Sequence, residues 1–293
     1  MPCFNHGHFV AESANAILRQ TDADLELIIV DDCSSDSSWE IIQSIAATDH
    51  RVRAIRHKYN QGASRSRNDG LRAADGEFIA FCDADDIWES RKLKIQVKLL
   101  EDNPSFDVTY CDSIIINETG IPLGRNFSDT NCPPPAHSGW LFQKLLTRNF
   151  VNMQTVLMRK QCLQNVSGFD ENIRWVEDWW YWVRLSHKCR FLYSSELLAR
   201  YRVHPKSTNL VQRRSAAINR IKLFRRILTQ YTDLSNAAKA DILRNAGGEL
   251  CVLGKRRMGR KLLRQAIWIS LTDPRALVVA ARATMRILRS RDR

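Results

Sequence analysis

Apolar residues in the first 112 positions form short runs that alternate with longer amphipathic stretches. The runs Leu25–Val30, Val52–His57 and Phe78–Cys82 have the length of strands, and the first and third lead into aspartates. Helical spacing of apolar positions covers residues 37–48, 63–74 and 89–101. Buried strands that alternate with helices of this length are typical of βαβ units. The pattern therefore predicts an α/β fold with a mostly parallel sheet and flanking helices.

The rest of the chain follows two other patterns. Residues 108–203 mix short predicted strands with short predicted helices, whereas apolar positions after Pro205 recur at helical spacing only. We therefore predict one domain over residues 1–205 and a basic all-α region over residues 206–293. Asp273-Pro274 has the residue types of an N-cap and a first helical position, which predicts a last helix after it.

Composition limits the class of protein. The 293 residues are 44% hydrophobic, which is enough for a sizeable core. The mean hydropathy of −0.34 argues against a polytopic membrane protein. The eight cysteines contain no C-x-x-C pair, and the chain opens without a secretory signal. We therefore expect reduced thiols and a cytoplasmic location.

Charge is divided unevenly between the two predicted parts. Residues 205–293 contain 21 Lys and Arg against 5 Asp and Glu, a net charge of +16, and the remainder carries a net charge of −4. A basic tail of this kind indicates an anionic surface as a partner, either lipid headgroups or nucleic acid. The alternative is a helical domain that exposes its charges to water.

The segment Asp83-Ala84-Asp85-Asp86 places three carboxylates directly after a predicted buried strand. In parallel sheets ligands bind at this end of the strands. Carboxylate oxygens suit a hard divalent cation, and such a cation would neutralise a departing diphosphate. The alternative is a polar turn that caps the next helix.

A second segment, from Asn60 to Gly70, has a glycine turn followed by small residues and two arginines, Arg65 and Arg67. Helix N-termini and arginines both favour phosphate groups. The segment matches neither the dinucleotide-binding nor the P-loop glycine pattern. The alternative is an ordinary helix start with solvated arginines.

A third segment, from Trp175 to Trp182, contains four tryptophans and a tyrosine around Glu177 and Asp178. Aromatic faces stack on sugar rings, and they desolvate neighbouring carboxylates. Desolvation raises the pKa of a carboxylate and makes it a better general base. The alternative is an aromatic core stripe with two acids at a helix N-terminus.

Taken in order, these segments resemble glycosyltransferase family 2, whose members have the GT-A fold, a Rossmann-like nucleotide-diphospho-sugar transferase fold. The resemblance covers about residues 2–205. It rests on the following segments: Pro2-Cys3-Phe4-Asn5, Glu26 to Asp36, Asn60 to Gly70, Phe81 to Trp88, Gly168-Phe169-Asp170-Glu171 and Glu177-Asp178.

The resemblance implies a role for each matching residue. The implied nucleotide-sugar-binding residues are Pro2, Phe4, Asn5, Asp31, Asp32, Arg67, Asp83 and Glu177. Among them, Asp32 would read the base and Asp83 would contact the ribose. Asp85 would bind the metal, with His204 as a second ligand, and Asp178 would be the general base. The family has a complete apolar strand before the Pro-x-Phe-Asn segment, so the first strand is expected to be truncated here.

The resemblance thus implies a metal-dependent inverting glycosyltransferase that uses Mg²⁺ or Mn²⁺ and a nucleotide-diphosphate sugar, with a UDP-sugar as the first candidate. A saccharide or lipid-linked acceptor in cell-surface polysaccharide or glycolipid synthesis is expected. We also expect peripheral contact with the inner face of the plasma membrane, and no nucleic acid. Two alternatives stay open at this point: another metal-dependent transferase, such as a nucleotidyltransferase, and a non-catalytic nucleic-acid-binding protein.

Overall fold

The structure, a computed structural model, describes residues 1–21, 24–131, 137–205, 207 and 213–271. The chain divides into two compact units. The described part of the larger unit lies within residues 1–145 and 149–207, and that of the smaller one comprises residues 146–148 and 213–271. That residues 1–205 and 206–293 form separate domains stays a prediction.

The first sheet of the larger unit is parallel and has three strands in the order β1-β2-β3. These strands are β1 (Pro2–Cys3), β2 (Leu27–Asp31) and β3 (Val52–Arg56). Helices α1 (Val10–Leu18), α2 (Ser38–Thr48) and α3 (Ala63–Ala73) alternate with them. All of β2 is buried, which explains its unbroken apolar run. The strand β1 has only two residues, and the backbone of Met1 extends its hydrogen bonding to Ile28 and Val30.

The second sheet has six strands in the order β4-β8-β6-β9-β5, with β7 paired to β6. They are β4 (Phe78–Ala80), β5 (Ile87–Trp88), β6 (Val108–Ile116), β7 (Pro122–Asn126), β8 (Leu157–Arg159) and β9 (Phe191–Arg202). Only β6 and β9 run parallel to each other, and the other pairs are antiparallel. The sequence predicted interrupted strands where β6 and β9 are continuous. Register shifts around Asp112 accommodate its buried carboxylate within β6.

The remaining helices of the larger unit are mostly short. They are α4 (Lys92–Asp102), α5 (Phe127–Asn131), α6 (Phe142–Leu145), α7 (Cys162–Asn165) and α8 (Glu177–Ser186), and Met153–Thr155 forms a 3-10 turn. Helix α6 covers only part of the stretch 138–147 for which the sequence predicts a helix.

The aromatic residues of α8 belong to the core. The side chains of Trp179, Trp180, Tyr181 and Trp182 are all buried. Phe169 stacks on Tyr181 with ring centroids 4.2 Å apart. The interpretation of these four rings as a sugar-stacking platform is therefore wrong, because their faces are taken up by protein atoms.

The smaller unit contains α9 (Arg213–Gln230), α10 (Asn236–Val252) and α11 (Arg256–Leu271). Ser235 caps α10 by accepting a hydrogen bond from the backbone N–H of Ala238 at 3.2 Å. Helices α10 and α11 approach closely at Gly259, where an added Cβ would lie 2.7 Å from the carbonyl oxygen of Gly247. The predicted last helix after Asp273-Pro274 lies outside the described residues. Each helix in the described part of the chain is too short or too polar to cross a bilayer.

Candidate active site

Asp32 follows β2 and anchors the loop that precedes α3. Its Oδ1 lies 2.7 Å from Nδ1 of His57 and accepts a hydrogen bond from the backbone N–H of Gln61 at 2.8 Å. Its Oδ2 accepts from the backbone N–H of Gly62 at 2.7 Å. Gly62 has a φ of 90°, a conformation that glycine adopts readily. The carboxylate that the resemblance assigns to the base thus also holds the loop shape.

His57 connects Asp32 to α3, and the sequence did not single it out. Its Nε2 lies 2.8 Å from Oδ2 of Asp69, so the imidazole bridges two carboxylates. The neighbouring Asp31 is fully buried and accepts from the backbone N–H of Ser34 at 3.1 Å through Oδ2. Among the described residues, Oδ1 of Asp31 has no hydrogen-bond partner. A buried acceptor without a partner is a good position for a donor on a ligand.

The segment after β1 lies against the loop after β2. Asn5 has a φ of 56°, and its Oδ1 accepts from the backbone N–H of Ser35 at 2.8 Å. Its own N–H donates to Oγ of Ser34 at 2.9 Å. Pro2 lies in β1, and the ring of Phe4 is 45% exposed. These contacts place the Pro-x-Phe-Asn residues beside Asp31 and Asp32 at the carboxyl end of the sheet.

Arg67, on α3, joins the three sequence segments that carry polar chemistry. One nitrogen, Nη2, lies 2.8 Å from Oδ1 of Asp83, and Nη1 lies 3.1 Å from Oε1 of Glu177. The side chain is only 7% exposed. Burial alone would lower the pKa of Arg67, but the two carboxylates outweigh it and raise the pKa above its usual value. The guanidinium is therefore a fixed positive charge between the turn after β4 and the start of α8.

Asp178 is the second residue of α8. Its Oδ2 accepts from Nδ2 of Asn149 at 2.9 Å, and its Oδ1 accepts from the backbone N–H of Trp179 at 2.6 Å. Burial, and then the charge of Glu177, raises the pKa of Asp178 to about 7, although Arg67 and Asn149 oppose this shift. Burial thus shifts the pKa of Asp178 in the direction that the sequence predicted. The sequence did not indicate Asn149, because this residue lies outside all the segments that resemble the family.

Asp85 and His204 are 119 positions apart in the chain, and the structure brings them together. Nε2 of His204 lies 3.1 Å from Oδ2 of Asp85. His6 joins them, so that potential ligand atoms of the three residues all lie within 4.8 Å of one another. Burial would raise the pKa of Asp85, but the hydrogen bond from His204 and the charge of nearby His6 hold it below its usual value.

Arg202, near the end of β9, fixes the turn that carries these aspartates. Its Nε donates to the carbonyl oxygen of Asp85 at 2.8 Å, and its backbone N–H donates to Oδ1 of Asp86 at 2.8 Å. Nη2 of Arg202 also pairs with Glu12 at 2.6 Å. Burial and the charges of Asp85 and Asp83 raise the pKa of Asp86 well above its usual value. The carboxylate of Asp86 thus stabilises the turn, whereas the carboxylate of Asp85 lies beside the imidazoles of His6 and His204.

The sequence matches the model of a known protein family. The family model for glycosyl transferase family 2 matches residues 1–163. The Escherichia coli UDP-Glc:alpha-D-GlcNAc-diphosphoundecaprenol beta-1,3-glucosyltransferase WfgD is 38% identical over 122 residues, which are 41% of this chain and 47% of WfgD.

Two solved structures are similar in fold. S. aureus TarS 1-349 in complex with UDP-GlcNAc gives a TM-score of 0.66 at 18% identity, covering 92% of this chain and 79% of that one. The mannosyltransferase PcManGT from Pyrobaculum calidifontis, in complex with GDP-Man and Mn²⁺, gives a TM-score of 0.58 at 16% identity. This match covers 97% of this chain and 82% of PcManGT. At such identities the likeness concerns the fold, and it confirms the predicted α/β GT-A architecture with C-terminal helices.

The chain spans less than half of the length of the first curated relatives that it matches. The matched family model, in contrast, covers more than half of this chain and includes the Asp31-Asp32, Arg67 and Asp83 to Asp86 segments. The chain belongs to glycosyl transferase family 2.

Proposed function

We propose that the chain transfers a sugar from a nucleotide-diphosphate donor to an acceptor hydroxyl with inversion at the anomeric carbon. The observation that carries this proposal is the Arg67 bridge, which links Asp83, in the segment Asp83 to Asp86, to Glu177, the neighbour of Asp178. A base with a pKa near 7 thus lies next to a fixed positive charge. A UDP-sugar is the first donor to test, because WfgD is named for UDP-glucose and TarS was solved with UDP-GlcNAc. A saccharide or lipid-linked acceptor of cell-surface polysaccharide or glycolipid synthesis is part of the proposal, because WfgD is named for an acceptor that carries GlcNAc on diphosphoundecaprenol.

In this proposal Asp178 takes the proton of the acceptor hydroxyl. The acceptor oxygen forms a bond to the anomeric carbon as the bond from that carbon to the diphosphate oxygen breaks. The bonding electron pair leaves with the diphosphate, and the proton ends on the Asp178 carboxylate. A single displacement from the opposite face inverts the configuration, as in inverting glycoside hydrolysis.

A divalent cation, Mg²⁺ or Mn²⁺, is part of the proposal. The residues fit it, because Asp85 is held ionised and two imidazoles lie beside its carboxylate. Asp85 and His204 would hold the ion. When bound, a divalent cation neutralises negative charge that develops on the departing diphosphate.

The pKa of Asp178 predicts how the rate depends on pH. A general base acts in its ionised form, so we expect the rate of UDP release from a UDP-sugar to rise as pH increases through about 7. Below this value the rate should fall about tenfold for each pH unit, since the ionised fraction falls by that factor.

This measurement needs no knowledge of the acceptor, because slow transfer to water releases the same nucleotide. NMR of the released sugar reports whether the anomeric configuration is inverted. A rate independent of pH between 5.5 and 8.5, or retained configuration, contradicts the proposed role of Asp178. Nucleotidyl transfer from a nucleoside triphosphate, with no turnover of any sugar donor, would instead favour the nucleotidyltransferase alternative.

We further propose that the smaller unit contacts an anionic membrane surface from the cytoplasmic side. The supporting feature is the outer face of α11, where Arg257, Lys261, Arg264 and Trp268 are all exposed and recur at helical spacing. Trp268 is 70% exposed at the C-terminal end of this basic face, and α11 contains no acidic residue. Tryptophan and basic side chains together suit the headgroup level of a bilayer.

Vesicle co-sedimentation tests this contact. We expect the full chain to bind vesicles that contain anionic lipid, and binding should weaken as salt is added. The triple variant Arg257→Gln, Lys261→Gln, Arg264→Gln should bind at least about tenfold less, since each basic residue contributes about 1 kcal/mol near an anionic surface. The control is Arg53→Gln, an exposed arginine of the larger unit. Equal binding to neutral and anionic vesicles, or preferential binding of nucleic acid, would contradict the membrane proposal.

A further inference from the structure

The side chains of His6, Asp85 and His204 come from three distant parts of the chain and meet at one point. Asp85 lies in the turn after β4, and His204 follows β9. His6 lies between β1 and α1, directly after the Pro2-Cys3-Phe4-Asn5 segment that the resemblance assigns to the nucleotide pocket. The resemblance gives His6 no role.

The backbone of His6 is held from two sides. Its N–H donates to Oγ of Ser38 at 3.0 Å, and its carbonyl oxygen accepts from the backbone N–H groups of Phe9 and Val10, each at 2.9 Å. The backbone of His204 is held similarly, because its N–H donates to Oγ of Ser207 at 2.9 Å. Both imidazoles therefore extend from fixed points of the backbone.

Packing restricts the two rings as well. The rings of His6 and His204 are perpendicular, with centroids 6.0 Å apart. The ring of Phe9 contacts both, at 5.1 Å from His204 and 6.3 Å from His6. The Arg202 guanidinium lies 4.9 Å from the same phenyl ring, and its Nε holds the carbonyl oxygen of Asp85. One apolar side chain, Phe9, thus packs near the buried arginine and near both imidazoles.

We infer that His6 is a third protein ligand of this site, and that the His6–Asp85–His204 set holds a first-row transition ion such as Mn²⁺ in preference to Mg²⁺. The inference rests on the proposed metal site and goes beyond it in the ligand set and in the class of ion. Mg²⁺ binds oxygen ligands almost exclusively, whereas imidazole nitrogens suit first-row transition ions such as Zn²⁺ and Fe²⁺, and Mn²⁺ accepts imidazole beside its preferred oxygen ligands. Two imidazoles and one carboxylate leave further coordination positions for oxygens of a diphosphate.

Mn²⁺ alone, added to the full chain without nucleotide, tests this inference. Titration followed by electron paramagnetic resonance gives the affinity, and pulsed measurements detect imidazole nitrogens bound directly to Mn²⁺. The wild-type protein should show two such nitrogens and a clear preference for Mn²⁺ over Mg²⁺ in competition. His6→Gln should show one nitrogen and a Kd for Mn²⁺ raised by about tenfold or more, because even residues that only support a metal ligand typically contribute that much. His8→Gln is the matched control, since His8 is exposed two positions away.

The variants Asp85→Asn and His204→Gln distinguish the role of His6 from the existence of the metal site. If these variants lose Mn²⁺ but His6→Gln keeps wild-type affinity and both nitrogen signals, the role of His6 is overturned while the metal site stands. If all three variants bind Mn²⁺ like the wild type, the proposed metal site itself is wrong. Thermal unfolding of each variant shows whether a loss of affinity reflects a loss of structure.

Discussion

Replacing Asp178 by Asn is expected to reduce turnover by about 10²- to 10⁴-fold, which is the usual contribution of a general base. The amide has the shape of the carboxylate, so the Oδ1 contact with the N–H of Trp179 is retained. Binding of UDP should change little, because Asp178 is not among the residues that the resemblance assigns to the donor, and its neighbour Glu177 is unchanged in this variant. Calorimetry with UDP and a kinetic assay of UDP release measure the two quantities on one sample.

The control for this experiment is Asp102→Asn, which removes an exposed carboxylate at the end of α4. It should leave both turnover and UDP affinity at their wild-type values. If UDP affinity collapses together with turnover in Asp178→Asn, Asp178 is a binding or structural residue, and another group must take the proton.

The same substitution should stabilise the fold at neutral pH. The folded pKa of Asp178 is raised to about 7, so the folded state holds a proton that the unfolded state has already lost. Stability therefore falls as pH rises from about 4 to 7, and the full cost is present above pH 7. Asp178→Asn removes this cost, so its unfolding temperature should exceed that of the wild type at pH 8. The advantage should disappear near pH 4.

Within residues 1–112, the strands β2, β3 and β4 and the helices α2, α3 and α4 could be predicted because each is encoded locally, whereas α1 and β5 were not predicted. The apolar run of β2 and the glycine before α3 are such local signals. The contacts of the site are different, since Arg67 reaches Glu177 across 110 positions and Arg202 reaches Glu12 across 190. No local pattern specifies which carboxylate meets which arginine. His6, His57 and Asn149 could not be assigned for the same reason.

The tryptophans of α8 show a second limit of the sequence. An aromatic cluster beside two acids fits a sugar platform and a core stripe equally well, because both place rings next to a carboxylate. Burial decides between them, and burial depends on Phe81 and Phe169, which pack edge-on to each other and line the same core. The expected effect on the pKa of Asp178 survives in either case, since any apolar ring excludes water.

Arg67→Gln is expected to have the largest combined effect on stability and activity. It leaves Asp83 and Glu177 without their shared positive partner in a mostly buried place. Removing one member of a buried ion pair costs about 3–5 kcal/mol, and the partial exposure of Asp83 places this case at the lower end. Arg67 also opposes the rise of the pKa of Asp178, so the pH at which UDP release is half-maximal should move above 7.

The matched control is Arg65→Gln, two positions earlier on α3. Arg65 is 39% exposed and pairs with Asp69 and Glu171 near the surface, where ion pairs contribute little. Its pH profile and unfolding temperature should stay close to those of the wild type.

Arg67→Lys covers the case in which Arg67→Gln does not fold, because lysine keeps the charge and loses one of the two contacts. We expect Arg67→Lys to keep the midpoint of the pH profile near 7 at reduced turnover. Two outcomes would contradict this role of the charge: Arg67→Gln folds with an unshifted midpoint of the pH profile, or Arg67→Lys shifts the midpoint as far as Arg67→Gln does. In either case the charge of Arg67 does not act on Asp178, and the contacts from Arg67 to Asp83 and Glu177 are only structural.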